Sequence, residues 1–134
     1  MLRVNSPLTA EDERTIAAAV DCGYSVHVGL GPGFREKIYQ RAYCLELASR
    51  GLQFEMEKPI DVCYKQWSIP GQRVDLIVEQ LVLVEIKAIP RLKAIHHAQV
   101  LSYLRTTGLR VGLLINFNTT LFKQGIRRIV SSRW

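Results

Sequence analysis

Apolar residues recur along this chain with two different periods, and the change of period divides it into elements. From Thr9 the run Thr-Ala-Glu-Asp-Glu-Arg-Thr-Ile-Ala-Ala-Ala-Val has a capping threonine, acids in the first turn and then an apolar face, which predicts a helix to about His27. Gly29, Gly31, Pro32 and Gly33 break that pattern. A second helical period follows, with Phe34, Ile38, Ala42, Leu45 and Ala48 at three- and four-residue steps up to Gly51, a natural C-terminal stop.

Beyond Gly51 the period shortens. Gln53 to Lys58, Ile60 to Trp67, Arg73 to Val78 and Val82 to Ala88 have strand character, the last two as a hairpin. Pro90 separates them from a helix over Leu92 to Thr107, which Gly108 ends, and Arg110 to Phe117 is a continuous apolar run suited to a buried strand. Lys123 to Val130 adds a final edge strand or a short helix. The order predicts an α/β fold, a mixed sheet flanked by helices, and 134 residues without repeat, low-complexity tract or linker predict one domain over 1–134.

Composition narrows the class. Hydrophobic residues make up 48% of the chain and are spread along it, as in a compact protein. No run is long enough to cross a membrane, and Met1 to Leu8 lack both a basic cluster and an apolar stretch. The expected compartment is therefore the cytoplasm. Cys22, Cys44 and Cys63, odd in number and widely spaced, fit neither a disulfide framework nor a CxxC zinc site and are expected as buried thiols. A zinc site with His96 and His97 is disfavoured, since adjacent histidines point apart on a helix.

Charge adds a partner. The net charge is +6, but residues 1 to 85 carry nine Lys and Arg against twelve Asp and Glu, whereas residues 86 to 134 carry nine Lys and Arg and no carboxylate. A region so lacking in acids attracts polyanions, which makes nucleic acid the first partner to consider; a basic protein with nothing bound is the alternative.

Three ionisable groups interrupt otherwise apolar strands: Asp75 in Val-Asp-Leu-Ile-Val, and Glu85 and Lys87 in Leu-Val-Glu-Ile-Lys-Ala. Desolvating such charges costs several kcal/mol unless they are paired or bind a metal. Glu85 and Lys87 are two apart and share a face. Asp75 joins them only if Glu79, Gln80 and Leu81 form a three-residue loop, so that Val78 pairs with Val82 and Asp75 lies opposite Glu85; a two-residue turn would put the carboxylates on opposite faces. The three-residue loop is the expectation. Two carboxylates so placed would hold a hard divalent cation that polarises a phosphoryl oxygen and activates water, with Lys87 orienting that water or neutralising phosphate charge. A solvated salt-bridge trio is the alternative.

An aspartate on one strand with Glu-x-Lys on its hairpin neighbour resembles the PD-(D/E)XK nuclease superfamily, with Val74 where the motif's proline would stand. Gly33-Phe-Arg-Glu36-Lys-Ile-Tyr39 reads as G-x-x-E-x-x-Y, and with Leu-Gly-Pro-Gly, Gln99 and Gly112-Leu-Leu-Ile-Asn-Phe-Asn118 nearly the whole chain is similar to the bacterial family named GxxExxY after that signature. The resemblance implies a restriction-endonuclease-like fold and a metal-dependent phosphodiesterase using Mg²⁺ or Mn²⁺ on nucleic acid, DNA before RNA, with a homodimer as an expected assembly. It also implies a helix glutamate assisting the metal, here Glu36, and a downstream Gln-x-x-x-Tyr, here Gln99 and Tyr103, that orients Lys87 or contacts phosphate. His96 lies one turn earlier, as a helix-surface residue or a contact. Gly33, Glu36, Tyr39 and Tyr43 fall along one helical face, so the tyrosines pack or touch phosphate. A binding module that keeps the fold without turnover is the second reading, and another phosphorylated ligand the third. The glycines around Gly31 are not followed by Gly-Lys-Ser/Thr, which excludes a Walker loop. No DNA-reading helix, zinc finger or aromatic stacking platform is evident.

Overall fold

The computed structural model describes residues 8–131, so the expectation for Met1 to Leu8 lies almost wholly outside the described residues. Two helices come first, α1 (Ala10–Leu30) and α2 (Glu36–Ser49). Thr9 caps α1 through a reciprocal pair: its Oγ1 accepts from the Asp12 N–H and its own N–H donates to Asp12 Oδ2, both at 3.0 Å. The helix runs three residues past the expected His27, to Leu30, and is capped by Gly31, whose positive φ of 66° lets its N–H turn back to the His27 carbonyl.

Five strands form one sheet in the order β1 (Phe54–Tyr64), β2 (Trp67–Val78), β3 (Val82–Lys87), β4 (Val111–Asn116) and β5 (Ile126–Val130). The pairs β1–β2, β2–β3 and β4–β5 are antiparallel; β3–β4 is parallel and is bridged by α3 (Ala94–Thr107). A mixed sheet flanked by helices is therefore what the chain forms. Lys123 to Val130 contains both of the expected alternatives, a four-residue helix α4 (Phe122–Gly125) followed by the edge strand β5.

Two strand boundaries differ from the expectation. Gln53–Lys58 and the first part of Ile60–Trp67 merge into β1, because Pro59 sits on this edge strand, where a missing N–H costs no ladder bond on the outer side, and the expected Ile60–Trp67 strand turns at Lys65 and Gln66, so that Trp67 opens β2. Thus β2 starts at Trp67 instead of Arg73. Pro70 and Gly71 there are absorbed as a bulge: Ile60 to Val62 spans two residues while their partners Gln72 to Ile69 span three, and Gly71 takes a φ of 116°.

The sheet has two buried faces. Leu76, Val78, Val82, Val84, Ile86, Val111, Leu113 and Ile115 pack with Ile16, Ala19, Cys22 and Val26 of α1 and Tyr39, Tyr43 and Leu47 of α2. On the other face Ile77, Leu83, Leu114 and Ile129 pack with Val100, Tyr103 and Leu104 of α3. Gly112 admits α3 closely, since a Cβ there would stand 2.8 Å from Val100 Cγ1. Cysteine burial departs from the expectation: Cys22 is buried, Cys44 half-buried and Cys63 exposed. Cys63 belongs to a part of the β1–β2 hairpin that extends beyond both helical layers.

Candidate active site

Strand register decides whether the three charged residues meet. Val78 pairs with Val82, Ile77 with Leu83 and Leu76 with Val84, so the connection is the three residues Glu79, Gln80 and Leu81, and Asp75 comes opposite Glu85. The turn is closed by the Leu81 N–H on the Val78 carbonyl at 2.9 Å, and Glu79 and Gln80 both adopt positive φ, 52° and 55°. Glu79 is anchored to Gln53, accepting its N–H at Oε2 (2.6 Å) while donating its own N–H to the Gln53 carbonyl (2.8 Å).

At Asp75 side chains take over from the backbone ladder. The Ile86 N–H donates to Asp75 Oδ2 at 2.8 Å, and the Asp75 N–H donates to Glu85 Oε2 at 3.1 Å. On the other side the β1–β2 ladder skips from Met56–Leu76 to Lys58–Val74, and Glu57, the residue across from Asp75, has a φ of 50°. Strain of that kind in a non-glycine residue persists only where the surroundings enforce it. Its effect here is a shift of pleat: Leu76 packs toward α1 and α2, while Val74, two residues away, packs toward α3.

Glu85 is only 3% exposed. Burial, followed by hydrogen bonding and repulsion from Asp75, pushes its carboxyl well above the usual carboxylate range, with Lys87 opposing in part. Lys87 donates from Nζ to Gln99 Oε1 on α3 at 3.0 Å. One turn on, the Tyr103 hydroxyl accepts from Gln72 Nε2 at 2.9 Å, and burial followed by the Glu85 charge raises its pKa. Asp75 with Glu85, Lys87 with Gln99, and Tyr103 with Gln72 are thus three hydrogen-bonded pairs along the α3 side of β2 and β3, coupled to one another by charge.

Glu36 approaches from α2. Its side chain is exposed, and its pKa is raised by partial desolvation and then by the Asp75 charge, with Lys87 lowering it. It is linked to the strand pair by charge, without a direct bond to it. Among the described residues no three His, Cys, Asp or Glu side chains gather closely enough to hold a metal ion as they stand, so neither the three-carboxylate set nor a zinc cluster is assembled.

The signature tyrosines are structural. Tyr39 is fully buried, stacks on Phe117 with ring centroids 4.7 Å apart, donates from its hydroxyl to the Gly31 carbonyl (2.6 Å) and accepts the Phe34 N–H (3.1 Å). Tyr43 is equally buried and donates to the Ala19 carbonyl at 2.8 Å, joining α2 to α1. Both tyrosines pack inside the protein, with their hydroxyls on backbone groups of Gly31, Phe34 and Ala19. G-x-x-E-x-x-Y then has a mechanical sense: the tyrosine clamps the loop from which Glu36 emerges. His96 turns inward to its own helix, its Nδ1 accepting the Lys93 N–H at 2.9 Å, so it caps α3.

Asn116 is the residue whose role the sequence did not disclose. It is 1% exposed and holds the segment after Lys87, its Oδ1 accepting the Ile89 N–H (3.1 Å) and its Nδ2 donating to the Ile89 carbonyl (3.0 Å), while Asn118 Nδ2 donates to the same carbonyl. The only available signal was an asparagine ending an apolar strand. Gly125 lies against this clasp, where a Cβ would fall 1.9 Å from the Asn116 carbonyl oxygen.

The structure thus brings an Asp opposite a Glu-x-Lys on adjacent strands of a mixed sheet, with a Gln of the crossover helix on the lysine. The family model of the PD-(D/E)XK nuclease superfamily matches residues 13–129, and the chain belongs to that superfamily. No curated protein and no solved structure matches it. Membership suggests metal-dependent nuclease chemistry with nucleic acid as the substrate class. Among the described residues no helix is long and apolar enough to cross a membrane.

Proposed function

We propose that this chain is a Mg²⁺- or Mn²⁺-dependent nuclease domain of the GxxExxY type, acting on DNA in preference to RNA, with residues 1–134 as a single unit. The observation that carries the reading is the opposed Asp75–Glu85 pair with Lys87 two residues away on the same face. The donor set fits a hard divalent cation: both groups are carboxylates, each bond to a backbone N–H uses one oxygen and leaves the other, and a buried carboxyl with a raised pKa beside a second carboxylate gains from a cation. Asp75 and Glu85 would hold it, and Glu36, whose charge already interacts with Asp75, would close on it from α2. Such a cation supplies Lewis acidity toward the phosphate and lowers the pKa of a bound water.

The chain's own residues do the rest. Gln99 uses one of the three Lys87 N–H donors and fixes the ammonium beside the carboxylates, leaving its other donors for the attacking water or a phosphate oxygen. Tyr103 and Gln72 steady α3 against β2, and Tyr39 and His96 act in support, through the Glu36 loop and the cap of α3. Arg91 and Lys93, exposed on the segment that Asn116 clasps, offer phosphate contacts next to the site.

A binding module without turnover is the second reading, favoured by the absence of an assembled three-ligand set among the described residues. Labelled single- and double-stranded DNA and RNA incubated with Mg²⁺, Mn²⁺ or EDTA separate the two. Metal-dependent cleavage that disappears in both Asp75→Ala and Lys87→Ala is the expected result; binding without cleavage under every metal would select the module.

A further inference from the structure

Residues 62 to 71, the outer part of the β1–β2 hairpin, are exposed throughout. Val62 pairs with Ile69 and Tyr64 with Trp67, so these four apolar side chains share one face of the ribbon, all of them exposed. At its end the Tyr64 and Trp67 rings lie 20° from parallel with centroids 6.2 Å apart, and Lys65 Nζ sits 5.3 Å from the Tyr64 ring centre. Tyr64 is 56% and Trp67 54% exposed, although their aromatic area would ordinarily be covered. Residues 62 to 74 contain Lys65 and Arg73 and no carboxylate.

We infer that this arm is a single-strand nucleic-acid platform, on which unpaired bases stack against Tyr64 and Trp67 while Lys65 meets phosphate. The inference rests on the nuclease reading and deepens it. Its first support is continuity: Trp67 and Asp75 lie on the same strand, so a strand of nucleic acid bound along β2 runs from platform to site. Eight residues at about 3.3 Å each span roughly 26 Å, a distance that a short single strand can bridge. The second is chemistry, since aromatic faces beside a cation are how single strands are held without base-edge readout. A second copy of this chain fits less well. The four half-exposed side chains offer roughly 400 Å², short of the about 800 Å² per partner of a stable interface, and facing arms would bring like charges together.

The test uses the full chain in EDTA, so that nothing is cut. Trp134→Phe leaves Trp67 as the one tryptophan, and its fluorescence is followed as a single-stranded DNA of about 20 nucleotides is added, alongside anisotropy of the labelled DNA. Saturable quenching is expected, with affinity about tenfold weaker in Tyr64→Ala/Trp67→Ala, in line with the stacking of a base or two. The loss should vanish for blunt duplex, whose bases are already stacked and paired. Both substituted residues are exposed, so an unchanged melting temperature checks the fold. Equal single-strand affinity in wild type and double variant overturns the platform and leaves the nuclease reading standing, all the more so if sedimentation shows that only the wild type dimerises. Absence of single-strand binding by the wild type in EDTA overturns the platform, and absence of binding to any nucleic acid with Ca²⁺ in place of EDTA overturns the nuclease reading as well.

Discussion

The two faces of the sheet are built from the same strands and behave oppositely. Val84 and Ile86 point into the packing against α1 and α2, a face whose strand residues are apolar from Leu76 to Ile115. Glu85 and Lys87, each one residue along, point to the α3 face, among the hydrogen-bonded groups Asp75, Gln99, Tyr103 and Gln72. The difference teaches that the pleat decides where charge can stand. One face is held by burial, which is indifferent to ionisation; the other adds to its own apolar cluster under α3 a set of charges and hydrogen bonds that need one another.

The harshest way to break that separation is to remove Gln80. A two-residue turn would rotate β3 by one position against β2, driving Glu85 and Lys87 toward the α1–α2 core, and the expected outcome is loss of the cooperative thermal transition. Next come matched substitutions on the two faces. Asp75→Asn is expected to cut metal-dependent cleavage by about a thousandfold with little change in melting temperature. Ile86→Ala should do the reverse, costing about 2–5 kcal/mol in denaturant unfolding while the folded fraction still cleaves. If Asp75→Asn unfolds the chain, the faces are not separable.

The pH dependence sharpens the comparison further. Because the folded pKa of Glu85 lies above its unfolded value, its contribution to stability is complete below the unfolded value of about 4.3 and is lost as pH rises through the folded one. Without divalent cation the melting temperature should therefore fall across that interval. Glu85→Gln should flatten the fall, and added Mg²⁺ or Mn²⁺ should stabilise more at higher pH; a wild-type profile parallel to that of Glu85→Gln would be evidence against the assignment. The mildest test is Gln80→Gly, which relieves a positive φ at an exposed turn and should add roughly 0.5–1 kcal/mol without altering cleavage.

Much of this was legible in sequence because period-two patterning and turn length are local rules. The spacing from Val78 to Val82 predicted the register that brings Asp75 opposite Glu85, and the resemblance of Gln-x-x-x-Tyr to a known nuclease element suggested that Gln99 orients Lys87. What was not legible depended on partners far along the chain. Pro59 and Pro70 read as strand breaks because their tolerance rests on an edge position and a bulge, which are properties of the assembled sheet. Tyr39 and Tyr43 read equally as contacts or as packing, since only the tertiary fold seals their hydroxyls against Gly31 and Ala19. Asn116 was silent because its clasp on Ile89 spans 27 positions. The aromatic platform was missed for a different reason: Tyr64 and Trp67 were read within one strand, Ile60 to Trp67, and the turn at Lys65 and Gln66 that makes them cross-strand neighbours has no glycine, proline or asparagine to mark it.

The exchange of ladder bonds for carboxylate bonds at Asp75 and Ile86 also gives the site its own spectroscopic voice. Two amide protons, one on each central strand, report directly on the electronic state of the opposing carboxylates. In a ¹⁵N-resolved NMR spectrum their shifts will move with protonation or cation binding while those of Val84 and Leu76, a step away on the apolar face, stay still. The protein carries in its backbone a pair of indicators for its own chemistry, readable without substrate and without any added label beyond the isotope.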